Sequence, residues 1–213
     1  MLDFERFKEC IDSVDATDYF TNHGPKARIF EDLVASLLSA NAVAVANLFV
    51  ASAMVSVEVP DADAVDIKDA RIKSGIILNK IRSGTDNLCS ARNKFYEIDF
   101  LNRPKNIDNI KALSGQVCFV LNPFEDVELL KSIVQKASCA IISHERGELI
   151  DTYTGGTIVS TNDLFLERMR NIRSSYGVNE LVSVPITSNG RFSEAQALQG
   201  IMSCRERLNI LDA

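Results

Sequence analysis

GGTIVSTNDLFLERMRNIRSSYG, residues 155–177, and SNGRFSEAQALQG, residues 188–200, carry the pattern that decides the fold. Thr157-Ile158-Val159-Ser160 is a short apolar run of strand length. A helical stripe follows through Phe165, Met169 and Ile172. Thr161 or Asn162 stands where a helix cap belongs, and Gly177 lies just beyond the helix end. Ser193-x-x-Gln196 is a capping box, in which two side chains satisfy backbone donors reciprocally. It opens a last helix with Ala195, Leu198, Ile201 and Met202 as its apolar stripe.

The same alternation runs upstream. Ile29, Phe30, Leu33, Val34, Leu37 and Leu38 form a helical stripe, and Ala42-Val43-Ala44-Val45 a short buried strand. Asn106–Leu113 reads as a brief helix and Val117–Leu121 as a strand. Asp126–Lys136 repeats the helical spacing, and Cys139–Ile142 is the next strand. Alternating strands and helices predict an α/β fold, a three-layer sandwich with a mostly parallel sheet. Asp61–Asn93 is polar and the least regular segment; Ile72, Ile76, Ile77 and Ile81 give it one candidate helix face. No repeat or linker breaks the chain, so residues 1–213 are expected to form a single domain.

Composition narrows the function. A net charge of −6 lacks the basic stripe that nucleic acid requires. No window has the long uncharged apolar run of a membrane span. The N-terminus, Met1-Leu2-Asp3-Phe4-Glu5-Arg6-Phe7, is charged, so a cytoplasmic location is expected. Cys10, Cys89, Cys118, Cys139 and Cys204 are dispersed with no C-x-x-C pair, which points to buried reduced thiols and no metal site.

Four stretches, in order, resemble the nucleotide-sugar aminotransferases of the DegT/DnrJ/StrS family. They are Asn22–Leu48, Tyr96–Leu113, Val117–Ala137 and Gly155–Gly200, and they span most of the chain apart from 61–93. The resemblance implies the large domain of a fold-type I transferase that uses pyridoxal phosphate (PLP). It also implies four cofactor contacts: a Schiff-base lysine, an aspartate on the pyridinium nitrogen, a Ser-Gly-Thr phosphate turn at a helix N-terminus, and a ring-stacking side chain.

The chain departs from that pattern at the chemistry. Aligned on Gly155-Gly156 without a gap, Glu148 takes the lysine's place and Ser143 the family's strand-end serine. Alternatively, Ser143 stands at the aspartate and a lysine-bearing segment is deleted. A carboxylate forms no imine in either case. The phosphate turn reads Ala46-Asn47-Leu48-Phe49, where large side chains block close backbone approach and Asn47 alone offers a hydrogen bond. Ser83-Gly84-Thr85 has the right letters but follows no strand, and reads as a turn. Asn189 matches an asparagine that in the family reaches the partner subunit's cofactor phosphate; a turn residue before a capped helix explains it equally. The family continues into a smaller C-terminal domain, expected to be absent here.

The resemblance therefore implies a degenerate sugar-aminotransferase-like protein with no bound cofactor, or PLP if the family site survives. Its expected partners are a second copy, an intact aminotransferase paralogue, or a nucleotide sugar. An altered chemistry would need Glu148, Glu145 and His144 to form an acid/base group. As a lone histidine outside any strand, His144 reads as a solvated loop residue.

Overall fold

A computed structural model of the protein describes residues 24–59, 63–64, 67–83, 94–101, 113–123, 126–173 and 190–208, with positions 5, 8 and 12. The expected helix over 106–113, Gly84, Thr85, Gly177, Asn189, Cys10 and Cys89 lie wholly or almost wholly outside the described residues. In chain order the elements are α1 (Pro25–Leu38), β1 (Asn41–Val45), α2 (Leu48–Glu58), β2 (Asp63–Ala64), α3 (Ala70–Ser83), β3 (Lys94–Asp99), β4 (Val117–Leu121), α4 (Val127–Lys136), β5 (Cys139–Ser143), β6 (Gly156–Ser160), α5 (Asp163–Arg173) and α6 (Glu194–Leu208).

The strands form one sheet in the order β1-β6-β5-β4-β3-β2. β2, β3, β4 and β5 pair in parallel, while β6 runs antiparallel to both its neighbours. The expectation of a mostly parallel sheet holds, with β6 reversed. Helices cover both faces, so the central strands are apolar almost throughout. Ala42, Ala44, Val120, Ala140 and Ile142 pack under α1, α4 and α6; Val43, Val45, Phe119, Ile141 and Ile158 pack under α2, α3 and α5. This is the three-layer sandwich.

Local chemistry sets the helix ends. Asp126 caps α4 through Leu129 N, and Asn162 caps α5 through Phe165 N at 3.1 Å. The capping box forms as read: Ser193 N donates to Gln196 Oε1 at 3.1 Å, and Gln196 N to Ser193 Oγ at 3.2 Å. α1 starts differently. Gly24 supplies no side-chain cap, and the Lys26 and Ala27 amides donate instead to the carboxylate of Glu194, at 2.8 and 2.9 Å.

Three apolar faces differ from expectation. α6 buries Ala197, Gly200, Ile201 and Cys204, and leaves Ala195, Leu198 and Met202 half-buried. The reason is closeness: a Cβ on Gly200 would lie 2.5 Å from the Phe30 ring, so the small residues face α1. In α5, Leu166 is buried and Phe165 only partly so. In α3, Ile72 and Ile76 are buried but Ile77 is 53% exposed.

β1 is an edge strand, and side chains and a neighbouring loop engage outer polar groups at alternate residues. Ala42 O accepts from Arg170, Ala44 N donates to Glu31 at 2.8 Å, and Ala44 O accepts from Arg173 at 2.7 Å. Ala46 N donates to Gly190 O at 3.2 Å. Arg173 also pairs with Glu31. An edge engaged in this way is a poor template for a further strand. Arg173→Met, which keeps the stem and removes the donors, is expected to cost roughly 3 kcal/mol in urea unfolding, because Glu31 loses its buried partner.

Candidate functional site

In an open α/β sheet, chemistry collects outside the carboxyl ends of the parallel strands. β3, β4 and β5 end at Asp99, Leu121 and Ser143, and the side chains there form a connected polar group. Asn122 follows β4 in the left-handed region, φ 51°, which asparagine tolerates. Its Nδ2 donates to Asp99 Oδ1 at 2.9 Å. Its backbone N donates to Glu148 Oε1 at 3.2 Å. Ser143 Oγ donates to the same oxygen at 2.7 Å, and Glu145 N to Glu148 Oε2 at 3.1 Å. Burial outweighs these donors and pushes the Glu148 carboxyl up to about 7.

Glu145 faces Arg71 at the start of α3, with Nη1 and Oε1 2.8 Å apart. Burial raises the pKa of its carboxyl against the pull of that guanidinium. Arg71 also binds Asp69 at 2.6 Å, and that hydrogen bond holds Asp69 below its usual range. Asp69 caps α3 through the Arg71 and Ile72 amides.

His144 is not in this group. Sheet alternation sends Ser143 and His144 to opposite faces. Rather than standing solvated in a loop, as its position suggested, His144 is fully buried in the α1/α6 layer. Its Nε2 lies 2.7 Å from Thr157 Oγ1, and its ring meets Phe30 edge-on at 5.3 Å. Burial lowers its pKa to about 3, against a hydrogen bond with the Ile150 backbone that raises it. Of the three residues needed for an acid/base group, Glu145 and Glu148 come together and His144 does not.

The two shifts oppose each other in stability. His144, lowered from 6.5 to about 3, contributes stability that is lost as pH falls below 6.5. Glu148, raised from 4.5 to about 7, contributes stability that is present below 4.5 and lost as pH rises through 7. Between 4.5 and 6.5 they offset. Glu148→Gln removes one side of the balance. Its unfolding free energy, followed in urea, is expected to fall relative to wild type as pH drops from 6.5 to 4.5, by up to about 1.4 kcal/mol per unit.

Asn47 lies at another corner of the sheet, before α2. It is that helix's N-cap, its Oδ1 accepting from Val50 N at 2.9 Å. Leu48 is fully buried, within 3.5 Å of where a Cβ on Gly156 would stand. Gln196 Nε2 donates to Ala46 O at 3.1 Å, joining α6 to this turn.

Asp99, Asn122 and Arg71 were missed as site residues in the sequence. The signal for two of them was positional: Asp99 ends the alternating run KFYEI, and Asn122 follows the apolar run VCFVL. Arg71 lies in the polar segment 61–93, beside its one candidate helix face, with nothing local to mark it as a site residue.

Neither a protein-family model nor a curated protein sequence matches the chain. Solved structures do match, and what they share is the fold of PLP-dependent sugar aminotransferases. DesI with its TDP-sugar product aligns over 98% of this chain and 60% of its own, at TM-score 0.73 and 17% identity. Helicobacter pylori PseC, an aminotransferase of pseudoaminic acid biosynthesis, aligns over 96% and 63%, at TM-score 0.71 and 13% identity. A GDP-4-keto-6-deoxymannose-3-dehydratase with a trapped PLP-glutamate geminal diamine aligns over 96% and 66%, at 0.67 and 14%. The chain thus spans less than two thirds of the length of each of these proteins. The resemblance and the fold agree.

The described residues at the β5–β6 connection and at the start of α2 do not fit the cofactor. The sequence has no lysine after Lys136, so the whole connection from β5 to β6 lacks the amine. Where an ungapped alignment puts that lysine, the Glu148 carboxyl is held by three donors. At the start of α2, the Val50 amide is engaged by Asn47, and Leu48 fills the space beside Gly156. Among the described residues, no group of histidine, cysteine and carboxylate side chains is arranged to hold a metal ion. No helix among them is long and apolar enough to cross a membrane.

Proposed function

We propose that the chain is a degenerate sugar-aminotransferase-like protein without PLP-dependent transamination. In this reading it is a binding or partner subunit in nucleotide-sugar or surface-polysaccharide metabolism, in the cytoplasm. The observation that carries it is a connection from β5 to β6 with no lysine, in which Glu148, where an ungapped alignment puts the family's imine-forming amine, is a buried carboxyl fastened by Ser143, Asn122 and Glu145. Fold and chemistry are separable, and the retained sandwich supports binding or assembly without catalysis.

A second reading has one observation in its favour. Glu148 is poised at about 7 beside the Ser143 hydroxyl, an acidity suited to general acid/base work on a nucleotide-linked keto sugar. Glu145 is its companion in that reading.

A thermal-shift screen with PLP, pyridoxamine phosphate and UDP-, GDP- and dTDP-sugars separates the readings, since a ligand of the native state raises the melting temperature. Stabilisation by a nucleotide sugar alone supports a binding subunit. Turnover of that sugar, lost in Glu148→Gln, selects the second reading, and stabilisation by PLP rejects the first. The partner is proposed to be a second copy or an intact aminotransferase paralogue. Light scattering at tens of micromolar is expected to show a dimer when the chain is alone or mixed with that paralogue; a monomer in both cases argues against assembly.

A further inference from the structure

We draw no further inference here: the strongest candidate, the outer arc of α2 where the half-buried Phe49, Val50, Ala53 and Val57 form an all-apolar face, carries nothing because the structure does not show what covers it.

Discussion

Gly75→Val is expected to lower the unfolding free energy by about 4 kcal/mol or more, a large part of what holds a domain of this size folded. Gly75 sits in α3 where that helix crosses α2. A Cβ there would lie 1.9 Å from Ser52 Oγ and 2.5 Å from the Phe49 carbonyl oxygen. The first clash can be relieved by turning a hydroxyl, at the cost of its 2.8 Å bond to Phe49 O. The second is with backbone in a fully packed helix and cannot, short of pushing α2 off the sheet. The gain in helix propensity from replacing glycine, about 1 kcal/mol, is too small to compensate. Gly75→Ala is therefore also destabilising, and adding Ser52→Ala should restore part of the loss in a double-mutant cycle. A Gly75→Val protein as stable in urea as wild type would show that the α2–α3 crossing is not this close.

Glu194→Ala is the second large effect, about 3–5 kcal/mol, because it strips a buried carboxylate from two helix amides. α1 has neither a side-chain cap nor an acidic residue in its first turn, and Pro25 contributes no N–H. The Lys26 and Ala27 amides, at the positive end of the helix dipole, depend on a residue 167 or 168 positions away. Glu194→Gln keeps one acceptor oxygen without the charge, so it should cost about half as much. Hydrogen exchange in the first turn of α1 would rise in both variants before global unfolding. A change confined to α6, with α1 untouched, would argue that the contact is incidental.

These two positions show where sequence reading ends. Periodicity identified β4, β5, β6, α4 and α5 because their apolar spacing is local. The capping box at Ser193 was legible for the same reason, since both partners lie within one turn. Glu194 falls inside that box and looks like an ordinary first-turn acid; only the tertiary structure makes it the cap of α1. The α6 stripe was misread because hydrophobicity ranks Leu198 and Met202 above Gly200. Close approach to Phe30 selects the smallest residue instead.

The candidate site was half legible. Ser143, Glu145 and Glu148 sit within six residues, so their meeting follows from one short loop. Asn122 and Asp99 come from neighbouring strands, and only the sheet order brings them there. His144 was misplaced because it stands one residue past a strand. Its side chain continues the strand's alternation into the core, where a loop residue would have turned to solvent.

The claim that most depends on these residues is the loss of the PLP chemistry. Its most direct measurement is borohydride reduction of the purified chain after incubation with equimolar PLP, followed by peptide mass mapping. The account predicts that the mapping finds no pyridoxyl-lysine and that the protein shows no aldimine absorbance before reduction. A single lysine trapped in stoichiometric yield would mean that an amine from elsewhere in the chain reaches the site, and would contradict it.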